Sequence, residues 1–181
     1  ATILSVFARV FIMVILLHIT VLIIQYIVGG IVAEGNPFKL LKNMVPAYFT
    51  ALGTQSSAAT IPVTLVQTKK NGVQDSIADF VIPLCATIHL SGSTITLVSC
   101  TMAIMMLNGK ATSFGILFPF ILMLGITMVA APGVPGGAVI AALGLLETML
   151  GFPPAMLSLM IALYIAQDSF GTATNVTGDC S

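Results

Sequence analysis

The densest chemistry in the sequence lies near its end, in Asp168-Ser169-Phe170-Gly171-Thr172-Ala173-Thr174-Asn175-Val176-Thr177-Gly178-Asp179. Counting from Asp168, the residues at i+3, i+4, i+7 and i+11 are Gly171, Thr172, Asn175 and Asp179, which share one face of a helix. Two carboxylates in a stripe with an amide and a hydroxyl, among apolar neighbours, call for ligands, because an unpaired buried charge is costly. An ammonium group and a hard cation with oxygen coordination fit that donor set. A stretch that simply emerged into water could hold the same residues, but it would not need them on one face. Farther upstream, Gln55-Ser56-Ser57 offers hydroxyls and free backbone N–H groups where a helix begins, a place that attracts anions such as a carboxylate. Ala131-Pro132-Gly133-Val134-Pro135-Gly136-Gly137 interrupts any helix and supplies similar backbone groups, with glycines that allow a hinge. His89 has two readings, a hydrogen-bonded structural residue or a protonation site. Arg9 and His18 read as interfacial or inter-helix contacts, and Cys85, Cys100 and Cys180 lack metal spacing and read as buried packing residues.

The elements that hold these groups must be lipid-facing helices. The chain is 57% hydrophobic and 7% charged, with a mean hydropathy of +1.10, whereas soluble domains carry about 25% charged residues. Net charge is zero, which argues against a nucleic-acid partner. The expected fold class is therefore an all-α integral membrane protein. Residues 1–33 read as a transmembrane helix. Residues 37–70 read as two arms, each too short to span, around a hydroxyl-rich tip. Lysines at both outer ends (Lys39 and Lys42, Lys69 and Lys70) place those ends on one side, so the segment reads as re-entrant hairpin 1. Residues 75–108 form a transmembrane helix unwound at Thr87–Thr94. Residues 112–150 repeat the hairpin pattern, and residues 154–181 form a polar-faced transmembrane helix that stops short. Interrupted segments in matching positions of two halves point to a transporter site at the bilayer midplane. The chain opens inside one apolar segment and closes inside another helix, which reads as a fragment of a longer protein.

Four ordered motifs carry a resemblance over nearly the whole chain: Ser56-Ser57-Ala58-Ala59-Thr60-Ile61-Pro62, Ala86-Thr87-Ile88-His89-Leu90-Ser91-Gly92-Ser93, Gly133-Val134-Pro135-Gly136 and Asn175-Val176-Thr177-Gly178-Asp179. They resemble the C-terminal half of the glutamate/aspartate transporter family, the dicarboxylate/amino acid:cation symporters. The resemblance implies an elevator-type transport domain built as an inverted repeat, in a multi-pass protein of the plasma membrane that assembles as a homotrimer through a scaffold domain absent from this chain. It implies a substrate site at Ser56, Ser57, Ser93, Val134, Asp168, Gly171, Thr172 and Asn175, with Asp168 on the substrate ammonium and Asn175 and the Ser57 tip on its α-carboxylate. It also implies sodium sites, one at Asp179 with carbonyls near Cys85, His89 and Asn175, the other at Thr87 and from Met128 through Val129 to Ala131. Protons are the alternative coupling ion.

Two departures from the family pattern matter. Acidic-substrate members carry an Arg where this chain has Gly171, so no cation is left to pair with a side-chain carboxylate. That favours a small neutral amino acid such as serine, threonine or alanine over the alternative, an acidic amino acid or dicarboxylate. The motif Asp of the unwound helix is Ser91, which removes a carboxylate from a further sodium site. Outside this family, an enzyme with an aspartyl dyad needs carboxylates that share a proton, and Asp168 and Asp179 would stand about 16 Å apart on one helix. A channel built on re-entrant loops is the other alternative and predicts no saturable binding.

Overall fold

The computed structural model describes residues 2–181, and those residues contain ten helices and no strand. Helix α1 runs Thr2–Val32 without a break. Beyond it the chain turns at Asn36, whose Oδ1 accepts from the Phe38 and Lys39 amides at 3.0 and 3.3 Å and so caps α2 (Pro37–Asn43). The first arm of the expected hairpin is two helices. Pro46 has no N–H to bond back across the turn, so the helix stops at Met44 and restarts as α3 (Val45–Thr54). Gln55, in the left-handed region at φ 52, turns the chain, and α4 (Ser57–Lys70) returns alongside α3. At its outer end Lys69 Nζ reaches Asp79 Oδ1 at 2.8 Å and Asp75 Oδ2 at 3.9 Å, tying α4 to the next helix.

The second long span is α5 (Asp75–Ile88) followed by α6 (Ser91–Leu107), with the unwinding confined to His89 and Leu90. Residues 5–32 and 75–107 are each long and apolar enough to cross a membrane. Next, α7 (Phe114–Met128) and α8 (Gly137–Leu150) pack together as a second helix pair. Lys110 closes the far end of that pair, its Nζ donating to the Leu150 and Gly151 carbonyls at 2.8 and 2.6 Å.

The last segment, expected as one helix, is also two: α9 (Pro154–Ile165) and α10 (Asp168–Gly178). Gln167 makes the break. Its Nε2 donates to the Leu163 carbonyl at 3.2 Å and its backbone N–H to the Tyr164 carbonyl, so a side chain replaces part of the helical ladder.

Helix α10 sits at the centre, against α1, α3, α4 and α6. Gly171 to Gly178 are all buried, although glycine, threonine and asparagine are weak helix formers. Tertiary packing, not local propensity, makes this segment a helix. Around it are two apolar clusters. Leu97, Phe120, Leu124, Leu146 and Met160 join α6 to α9. Leu22, Tyr26, Met44, Ala47, Ala173 and Val176 join α1 to the first helix pair and α10.

Candidate functional site

The two helix-pair tips, the start of α6 and the first turns of α10 meet in one place. Ser56 caps α4 by accepting from Ala59 N–H at 3.2 Å, and its hydroxyl donates to the Gly133 carbonyl at 2.7 Å. Ala58 N–H donates to the same carbonyl at 3.2 Å. These bonds join the tip of the first pair to the tip of the second. Gly133 is required there: a Cβ at this position would stand 2.8 Å from the Ala86 carbonyl oxygen. Three residues on, Gly136 adopts φ 72, a conformation open to glycine at no steric cost, and its N–H donates to Asp168 Oδ2 at 2.7 Å. The other carboxylate oxygen receives a long bond from Thr172 Oγ, at 3.5 Å.

Asn175 organises the opposite wall. Its Oδ1 accepts from the Gly92 and Ser93 amides at 2.8 and 3.2 Å, and its Nδ2 donates to Ser93 Oγ at 2.8 Å. An amide side chain from α10 thus satisfies the open N-terminus of α6, and one Nδ2 hydrogen remains for another acceptor. From the outside, His18 on α1 donates from Nε2 to the Gly92 carbonyl at 3.0 Å and lies 3.2 Å from Thr96 Oγ. The expected inter-helix contact of His18 is therefore present, while Arg9 is exposed.

Ser57, Ser93, Val134, Asp168, Thr172 and Asn175 border one cavity. Its space open to the centre of a water molecule is about 10 Å³, enough for about one water. Ser56 lies behind the tip, engaged with Gly133. Gly171 is turned toward α6, where a Cβ would meet the Ser93 backbone and Thr96 at an ordinary 3.5 Å. Asp168 is the one charged side chain on the cavity wall among the described residues, and no lysine or arginine borders it. The sequence reading missed Tyr164, which also borders the cavity. It stands four residues before Asp168, so extending the polar stripe one turn upstream would have found it.

A second polar cluster lies at the far end of α10. Asp179, whose side chain is 2% exposed, has Oδ1 2.9 Å from His89 Nδ1. His89 Nε2 faces Gln25 Nε2 at 3.0 Å, which suits an imidazole that carries its hydrogen on Nδ1 and accepts from the Gln25 amide. Gly178 lets these groups close in, since a Cβ there would stand 2.5 Å from His89 Cε1. The buried carboxylate, with one oxygen free of hydrogen bonds, has the hard-oxygen chemistry that an alkali cation takes. No group of three His, Cys, Asp or Glu side chains occurs among the described residues, so backbone carbonyls would have to complete any cation shell. The Cys85 carbonyl accepts His89 N–H and the Asn175 carbonyl accepts Asp179 N–H, and each keeps a second lone pair. Of the residues expected at a second sodium site, Thr87 donates to the Leu84 carbonyl at 3.0 Å, and Met128, Val129 and Ala131 form the end of α7 and the start of the second tip. The close approach of Gly133 to Ala86 brings that tip to the end of α5.

A family model described as the sodium:dicarboxylate symporter family matches residues 1–181. Human excitatory amino acid transporter 2 is 32% identical over 170 residues, covering 89% of this chain and 29% of its own length. Bovine neutral amino acid transporter A is 32% identical over 164 residues, covering 86% of this chain and 31% of its own. Mouse excitatory amino acid transporter 3 is 34% identical over 159 residues, covering 87% of this chain and 30% of its own. The chain thus spans about 30% of the length of the relatives it matches.

Proposed function

This chain belongs to the sodium:dicarboxylate symporter family, a family of transporters and not of enzymes, and we propose that it forms the substrate-binding part of a cation-coupled symporter for a small neutral amino acid. The supporting observation is the charge on the cavity wall: among the described residues, one carboxylate, Asp168, and no basic side chain. Asp168 pairs with the substrate ammonium. The α-carboxylate lies between the first-turn amides of α4 at Ser57, where the helix dipole favours an anion, and the free Nδ2 hydrogen of Asn175. Thr172 completes the ammonium side. A glutamate or aspartate side chain would place a second carboxylate near Asp168 without a cation, at a cost that rises in a low-dielectric site. The relatives include both excitatory and neutral amino acid transporters, so the family alone leaves this choice open.

The cavity is too small for an amino acid as it stands, so the α7–α8 tip must swing away from Asp168 and Gly133 must release Ser56. Gly136 and Gly133 are the positions that allow it. Closing the tip then excludes water and strengthens the charge pairing inside. Sodium held by Asp179 with the carbonyls of Cys85, His89 and Asn175, or by Thr87 with Met128, Val129 and Ala131, supplies positive charge that offsets a buried carboxylate and the carbonyl dipoles. Asn175 belongs to both the substrate set and the Asp179 sodium set, and the unwound segment joins His89 of that sodium set to Leu90 on the cavity wall, which is the physical basis for coupling. The two helix pairs act as re-entrant hairpins in the plasma membrane, within an elevator-type domain of a homotrimer.

The test is uptake of labelled serine, glutamate and aspartate by the full-length protein in liposomes, with and without an inward sodium gradient. Sodium-driven serine uptake that glutamate fails to inhibit is expected. Sodium-driven glutamate uptake overturns the neutral-substrate reading, and linear, unsaturable flux overturns the transporter reading in favour of a channel.

A further inference from the structure

Tyr164 is fully buried, yet among the described residues its hydroxyl has no hydrogen-bond partner. The ring is held by apolar neighbours of the α6–α9 cluster, while the oxygen lies beside the Ser93 hydroxyl and the Asp168 carboxylate without meeting hydrogen-bond geometry to either. Other buried polar atoms lack partners, on His18, Gln25, Thr68 and Thr101 among others. Of that set, the Tyr164 hydroxyl alone belongs to a residue bordering the cavity at Asp168. A buried Tyr O–H ordinarily finds a partner, and leaving one unmade is unfavourable. A group in that condition on the cavity wall has bonding capacity to offer a ligand that enters the cavity.

We propose that Tyr164 contacts the substrate side chain and selects amino acids that carry a short, neutral hydrogen-bonding oxygen there, such as serine and threonine, over alanine. The proposal rests on the reading that the Asp168 cavity is the substrate site. With the substrate ammonium on Asp168, one helical turn away, the Cβ substituent comes within reach of Tyr164. The phenol can donate to or accept from a hydroxyl. A carboxylate side chain would gain this one bond but no cation. A methyl side chain would leave the phenol buried and unpaired, which is how a polar pocket rejects an analogue lacking the polar group.

The experiment is inhibition of labelled serine uptake by unlabelled serine and by unlabelled alanine, for the full-length protein in liposomes, wild type against Tyr164→Phe. The wild type should prefer serine to alanine by roughly 5- to 10-fold, as one neutral hydrogen bond provides. In Tyr164→Phe that ratio should fall to about 1, with alanine's apparent affinity unchanged. A residue that only packed would lower both affinities and keep the ratio, and an unchanged ratio overturns the proposal. Should the variant not fold, thermal stabilisation of the wild type in detergent by serine and by alanine gives a second reading, and equal stabilisation also overturns it. Failure of the wild type to take up any neutral amino acid overturns the site reading as well.

Discussion

Asn175 caps α6 and faces the proposed substrate site, and two substitutions separate the two roles. It is 1% exposed and holds the Gly92 and Ser93 amides through Oδ1. In Asn175→Ala both amides lose their acceptor inside the protein. A buried unsatisfied group costs about 1–3 kcal/mol, and a water in the vacated space would recover part, so a loss of about 2–4 kcal/mol is expected. Asn175→Asp has nearly the same shape and keeps an acceptor for both amides, with a negative charge that suits the start of α6. It loses the bond from Nδ2 to Ser93 Oγ, which the serine hydroxyl can replace by donating to the new carboxylate. Its stability should stay within about 1 kcal/mol of wild type. Its transport should not survive: a carboxylate now faces the substrate's α-carboxylate, and a charge-assisted hydrogen bond of about 1.5–3 kcal/mol is gone, equivalent to roughly 10- to 150-fold in apparent affinity before repulsion. Thermal denaturation in detergent followed by circular dichroism, with uptake in liposomes, measures both effects on the full-length protein. A stable Asn175→Ala would refute the capping role, and an Asn175→Asp variant with wild-type KM would refute the substrate role.

Further outcomes follow from single contacts. Asp168→Asn can still accept from Gly136 N–H but has no charge for an ammonium, so serine uptake should fall at least about 10-fold with little change in melting temperature; normal affinity would remove Asp168 from the site. Gly171→Arg adds a cation to a position whose Cβ has ordinary space, and competition assays should show aspartate and glutamate gaining on serine; no gain would refute the charge-pairing argument. Gly133→Ala drives a methyl against the Ala86 carbonyl at 2.8 Å, so the tip should close poorly and KM should rise; a wild-type KM would refute the role of this close approach. Lys110→Ala removes two bonds to the last carbonyls of α8 and should lower stability by about 1 kcal/mol while leaving substrate selectivity unchanged.

How much of this was legible beforehand differed between levels. The helical membrane class was legible because 7% charged residues point to a lipid-facing surface and the apolar runs are long enough to span as helices. The tips at Ser56-Ser57 and Pro132 to Gly137 were legible because serine, proline and glycine act locally on the backbone. Asp168, Thr172 and Asn175 were legible because a 3.6-residue period places them on one face. Other features depend on partners far away in sequence. Gln167 breaks the last segment through its own side chain, in a stretch whose composition reads as continuous helix. Pro46 was visible, but its effect depends on which carbonyl it deprives. The pairing of His89 with Asp179 joins residues 90 apart in sequence, and the capping of α6 by Asn175 joins residues 83 apart. Tyr164 reads in the sequence as one more apolar-stretch aromatic. Only packing decides that its hydroxyl ends at the Asp168 cavity, beside Asp168 and Ser93 but outside hydrogen-bond geometry to either, because hydrogen-bond satisfaction is a property of three-dimensional neighbours, which sequence spacing records only within a single helix.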